Sequence, residues 1–178
     1  MNVLESLLHT LQKPRTAPHV GEVMTIWTTY AAAESSKASI LTLLNHTQDP
    51  ELKGMIEHYV NDVLEPMVNK LTDLMRDEGI PFPASPPEVA KADQAAIPPG
   101  AKLNDPMIAN RLAVDLEGLL IIVHGALLSG TRGDIIATFY NYHTHILAQS
   151  FTVKHMLEKR GWLRMPPPYH VPHASPPM

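Results

Sequence analysis

Across the 178 residues, no glutamate is followed three positions later by a histidine. That spacing would set a carboxylate and an imidazole on one face of a helix. Two such pairs, with two further glutamates, are what a helical bundle uses to hold a pair of iron ions. Here Glu34 is followed by Lys37, Glu57 by Val60, Glu65 by Val68 and Glu117 by Leu120, so a carboxylate-rich di-iron centre is not expected. What remains are ionisable residues that fall on apolar helical stripes: Glu34 and Lys37, Asp115, and His143. Buried charges have to be paired or neutralised. One reading is a mid-bundle polar cluster of Glu34, Lys37, Asp115 and His143 that fixes the register of the helices. The sharper one is a single divalent metal, zinc, manganese or iron, held by Glu34, Asp115 and His143, with His124 or His145 nearby. Lys37 weighs against the metal, because an ammonium beside the ligands repels a cation. The structural cluster is therefore preferred, and no cofactor and no catalytic residue is expected.

Other constellations are weaker. His58 and Asp62 share the polar face of one helix and read as a solvated pair. His143 and His145 are two apart and point to different sides. His170 and His173 lie in a proline-rich tail. There is no Gly-x-Ser-x-Gly elbow and no glycine-rich phosphate loop. With no cysteine, thiolate sites and disulfides are absent together. A formal net charge of −4 supplies no basic field for phosphates, so nucleic acid is not an expected partner.

Prolines mark where helices cannot run. Of 17, seven lie between Pro81 and Pro106 and six between Pro166 and Pro177. The chain reads as an amphipathic N-terminal segment (residues 1–18, with Val3 to Gln12 apolar on one side), a four-helix bundle (19–165) and a proline-rich tail (166–178). The helices are predicted at about 19–46, 49–78, 105–129 and 134–159. The first stripe is Val23, Trp27, Tyr30, Glu34, Lys37, Leu41 and Leu44; the second is Leu52, Ile56, Val60, Val63, Met67, Leu71 and Leu74. The third carries Ile108, Leu112, Asp115, Leu119 and Ile122. The fourth carries Ile136, Phe139, Tyr140, His143, Ile146, Leu147, Phe151, Lys154 and Leu157. Asp49 with Pro50, Asp105 with Pro106, and Asp134 after Gly133 read as starts, and Gly79 and Gly161 as stops. Pro66 is expected to kink the second helix.

Connection lengths choose the topology. The first and last pairs are joined by a few residues and must be antiparallel. About 26 residues separate the second helix from the third, enough extended chain to span about 80 Å. A helix of about 28 residues is roughly 42 Å long, so the connection can run the length of the bundle. The expected fold is all-α and ferritin-like, with one long crossover between helices 2 and 3, ordered because Ile80 and Phe82 can anchor it. The third helix, apolar nearly all round from Leu119 to Leu128, is expected to be packed on several sides.

No continuous apolar run reaches the ~18 residues of a membrane span, and the N-terminus lacks a signal peptide's basic start and long apolar middle. Synthesis in the cytoplasm without membrane insertion is the expectation.

Leu43-Leu44-Asn45-His46 with Asp49-Pro50-Glu51-Leu52-Lys53, Gly79-Ile80-Pro81-Phe82-Pro83, Asn104-Asp105, the corner Ser129 to Asp134, and Lys159 through Gly161-Trp162-Leu163 to Pro166-Pro167 form a recognisable set. Over about residues 20 to 168 the chain resembles an uncharacterised, spore-coat-related (Coat F-like) ferritin-like family of endospore-forming bacteria. These motifs are structural corners, and the family brings no catalytic set to carry over. The resemblance implies a structural, spore-coat-associated role around sporulation, with self-association or other coat proteins as partners. The rival readings are a metal-binding or oxidative protein built on the mid-bundle residues, and a protein-binding adaptor acting through the crossover and tail.

Overall fold

Helix α1 (Val20–His46) starts at a capping box with histidine in the capping position. The His19 ring Nδ1 accepts from the Gly21 and Glu22 amides at 3.0 and 3.3 Å, while the Glu22 carboxylate accepts the His19 N–H at 3.1 Å. Two of the orphan amides of the first turn are thereby satisfied. These and the following details come from a computed structural model that describes residues 5, 6, 9, 16–167 and 169. The amphipathic segment expected at Val3 to Gln12 and the tail beyond residue 167 therefore lie mostly outside the described residues.

Helix α2 starts on Asp49, whose carboxylate accepts from the Leu52 amide at 3.0 Å, with Pro50 in the first turn. It runs as Pro50–His58, a π-helical turn Tyr59–Leu64, and Glu65–Asp77. The π turn is how the helix accommodates Pro66, which lacks an amide and whose ring crowds the carbonyl four residues back. Widening the turn just ahead of it shifts the pairing, so that the Glu65 amide reaches the Val60 carbonyl. All seven residues of the predicted stripe are buried.

Gly79 (φ 67°) ends α2, with the Ile80 amide on the Met75 carbonyl at 2.8 Å. Gly161 (φ 67°) ends the last helix identically, the Trp162 amide meeting the Leu157 carbonyl at 2.8 Å. Both are left-handed closures that favour glycine.

The crossover is held to the bundle at several points. Ile80 is buried, and the Phe82 ring meets Tyr30 edge to face at 5.5 Å. Asn45 grips the chain twice, donating to the Ala90 carbonyl at 2.9 Å and accepting from the Ala92 amide at 3.1 Å. Helix α3 (Asp105–Ser129) is capped by Asn104, which accepts from Met107 N at 2.9 Å. Asp105, expected as the cap, is already helical. Its carboxylate instead crosses to the α1–α2 corner and accepts from the amides of Gln48 and Asp49 at 2.8 and 3.2 Å. Helix α4 (Gly133–Lys159) follows a short turn. Asp134 lies inside it, and the residue in the capping position is Arg132.

These contacts set the directions. The start of α3 and the end of α4 sit at the α1–α2 corner, where Arg160 bridges Asp49 at 3.0 Å and Glu51 at 2.7 Å. The end of α3 lies at the opposite end, beside the start of α1 and the end of α2. Two antiparallel hairpins are thus joined by a full-length crossover, and no strand occurs among the described residues. The core between them is aliphatic, with Tyr59 and Phe139 its largest fully buried side chains. Burying each such apolar side chain contributes about 1.5–3 kcal/mol.

Candidate functional site

The residues expected to share one mid-bundle site occupy three separate settings. Glu34 and Lys37 line a groove under the crossover with Pro86, Pro87 and Val89, and Lys37 pairs with Glu65 at 3.5 Å. Asp115 faces α1, where its carboxylate accepts a hydrogen bond from the Ser36 hydroxyl. His143 meets His124 with the rings tilted by 42° and their centroids 5.3 Å apart, and His145 is exposed. Glu34, Asp115 and His143 do not form one coordination set, and among the described residues no three metal-ligating side chains converge.

The divergence has a plain cause. The buried face of α1 is Ile26, Ala33, Ser36, Ile40 and Leu43, one residue and so about 100° away from most of the stripe read from the sequence. Of that stripe Tyr30 is buried and meets Phe82 of the crossover, whereas Val23, Trp27, Leu41 and Leu44 are only partly buried against the edge of the core. Helix α4 repeats the pattern, burying Ile135 and Tyr142 where Ile136 and His143 were expected.

The Asp115 setting is the most perturbed of the three. Burial raises its carboxyl above the ordinary range, and the Ser36 hydroxyl, the Arg111 charge and the Tyr59 hydroxyl oppose this without cancelling it. The Tyr59 hydroxyl faces the same pair from the start of the π turn, fully buried and without a partner in full hydrogen-bond geometry. Its own ionisation is pushed up by burial and then by the Asp115 charge. Because the folded state holds the Asp115 proton more tightly than the unfolded chain, the penalty is absent at low pH. It sets in as pH rises through the ordinary carboxyl value and is complete above the raised one. Asp115→Asn is therefore expected to stabilise the fold near neutral pH, on the order of 1 kcal/mol, and to do little in acid. Urea midpoints at the two pH values check this, and equal gains at both would refute it.

A second polar node was not anticipated. Glu22, Arg132 and Thr131 meet at the end of the bundle opposite Asp49. Glu22 Oε1 accepts from the Thr131 and Arg132 amides at 2.7 and 2.9 Å and from the Thr131 hydroxyl at 3.1 Å. The Arg132 guanidinium forks onto Asp134 at 3.0 and 2.6 Å, reaches Glu78 at 2.8 Å and donates to the Thr16 carbonyl at 3.0 Å. Since the His19 Nδ1 accepts amides, its proton sits on Nε2, 3.7 Å from Glu22 Oε2. The only sequence signal is Glu22 three residues after His19, the spacing of a capping box with an unusual cap. Its donors are satisfied by acceptors of the same chain, which makes it a fastening of four chain segments.

Comparisons with known proteins agree with this architecture. A structure from Bacillus halodurans C-125, described as a "putative spore coat protein", superposes with a TM-score of 0.81 at 27% identity, covering 88% of this chain and 98% of that one. The ferritin-like fold also appears in a two-domain protein of Anabaena variabilis that joins it to a DJ-1/ThiJ/PfpI-like domain (TM-score 0.62, 12% identity, 86% of this chain and 41% of that one). A conserved hypothetical protein of Mycobacterium tuberculosis shares the fold at a TM-score of 0.63 and 7% identity, over 77% of this chain and 97% of that one. The uncharacterized protein YvdQ of Bacillus subtilis (strain 168) is 28% identical over 153 residues, 86% of this chain and 89% of its own length. The chain matches a family model over residues 9–174, and so belongs to the family described as protein of unknown function DUF3231.

Proposed function

We propose that this chain is a non-enzymatic structural component associated with the spore coat. The observation that carries the reading is the likeness to the Bacillus halodurans protein over nearly the whole of both chains. The polar chemistry supports it. Glu22, Arg132, Asp105 and Arg160 are all engaged in tying helix ends together. Asp115 is engaged by Ser36. Such a body contributes a rigid shape with defined faces.

The test is to place a fluorescent fusion of the full chain under a sporulation promoter in a Bacillus host. The expected result is a ring of signal around the developing spore that survives salt washing and is released by denaturant. Signal that stays diffuse in the mother cell overturns the reading.

A further inference from the structure

Helix α3 is apolar on both sides. Its inner face fills the core, yet Met107 (48% exposed), Val114 (56%), Ile121 (72%) and Leu128 (72%) stand at seven-residue intervals on the opposite face. Within Pro99–Ser129 one window of 18 residues is apolar and long enough to cross a membrane, and only 28% of that window is buried. The expectation of packing on several sides is thus unmet within one chain. Two glycines, Gly118 and Gly125, lie among these residues with the same spacing of seven. A Cβ at either would meet no atom within 4 Å. Glycine inside a helix is destabilising relative to alanine, and nothing in the chain's own fold requires it here.

We propose that this face of α3 is the contact between two copies of the chain, packed antiparallel about Gly118. Turned end for end about that residue, Val114 comes within one residue's rise of Ile121 of the second copy, and Met107 within one of Leu128. Gly118 sits over its own equivalent, and the stem of Arg111 crosses the open space at Gly125. The glycines then have a reason, since they let two helix backbones approach closely. On the α1 side the face continues into a groove floored by Ala32, Ser35 and Ser39, small enough to admit the approach.

The size fits. Met107 to Leu128 spans about 32 Å, and α3 with the adjoining α1 is about 20 Å wide. That gives roughly 600 Å² on each copy and about 1,200 Å² in all, the lower end of a standard stable interface. Lipid fits less well, because the exposed Glu117 lies at the middle of the helix, the depth at which a bilayer penalises charge most. At a protein contact, Arg111 lines the α1-side groove beside Asp115, whose charge it faces, and Glu117 lies toward the α4 side of the face, at its wet edge. The inference stands on this geometry and supplies the coat reading with a building contact. Solution assembly tests the contact, and localisation in sporulating cells tests the reading.

Sedimentation equilibrium of the full chain is expected to show a dimer. Ile121→Glu, a change at an exposed position, is expected to raise the dissociation constant by about 100-fold or more with an unchanged circular dichroism spectrum. Gly118→Ala is expected to weaken association while raising the thermal midpoint of the dilute monomer, a pairing that a purely intrachain role for the glycine does not produce. Because the chain has no cysteine, Val114→Cys and Ile121→Cys chains mixed under oxidation should cross-link to each other. A chain monomeric at all concentrations, or an Ile121→Glu variant that remains dimeric, overturns the proposal. So does a monomer that binds phosphatidylglycerol vesicles through Ile121, since lipid would then be the occupant.

Discussion

Arg132→Met is expected to destabilise the protein by about 3 kcal/mol, the lower end of the range for breaking a buried ion pair. Methionine keeps most of the stem's volume and removes the fork that serves Asp134, Glu78 and the Thr16 carbonyl. Asp134 is about half exposed and water can take over its solvation, whereas Glu78 is nearly covered and loses its 2.8 Å guanidinium contact where little water can replace it. That contrast is why the lower end of the range applies. For a chain of this size the thermal midpoint should fall by roughly 6–12 °C. Arg132→Lys should lie between, since an ammonium can answer one carboxylate but has no planar fork for two. Denaturant midpoints at constant slope check the series. A methionine variant within about 0.5 kcal/mol of the parent would show that the node is only ornamental to stability.

The same node shows where sequence reasoning stops. Helix ends follow from local chemistry, and Pro50, Gly79 and Gly161 announce them. The crossover follows from a length, because about 26 residues between antiparallel pairs have to go somewhere. The α2 stripe is legible because α2 buries one clean face. Helices α1 and α4 are harder, since each carries apolar residues on two neighbouring faces. For α1 the crossover meets the second at Tyr30, and a one-residue rotation separates the two solutions. That rotation moved Glu34, Lys37 and His143 from the centre of the bundle to its flanks.

Arg132 and Glu22 were hidden for a different reason. They are 110 residues apart, each lies beside a turn, and only the folded topology brings the start of α1 to the α3–α4 corner. Asp134 shows the cost of a purely local reading. Its position before an apolar helix resembles a cap, but its carboxylate has a guanidinium to answer. The Asp49 and Asp105 starts divide in the same way. Asp49 caps its own helix, whereas Asp105 leaves that task to Asn104 and fastens a neighbouring corner. At both ends of the bundle, then, acidic side chains near helix starts lock one hairpin to the other.

Glu22→Gln should be nearly as damaging as the loss of Arg132, and its pH dependence identifies the mechanism. Every group around the carboxylate is a donor: the amides of His19, Thr131 and Arg132 and the Thr131 hydroxyl. A carboxylate accepts from all of them. An amide side chain must turn its NH2 toward at least one and leave donors facing each other. Lost charge-assisted hydrogen bonds and a buried unsatisfied group together cost about 2–4 kcal/mol near neutral pH. Burial alone would push the Glu22 carboxyl up, but the bonds from Arg132, Thr131 and His19 outweigh it and hold it below the usual carboxylate range. The unfolded chain therefore binds the proton more readily than the native one. This contribution is complete above the ordinary carboxyl value and is lost as pH falls through that value to the lowered one. The parent and Glu22→Gln should thus differ most near neutral pH and converge in acid, the reverse of the Asp115→Asn comparison, in which removing the charge helps. A constant difference across both pH ranges would mean that shape, and not the carboxylate's charge, holds the corner.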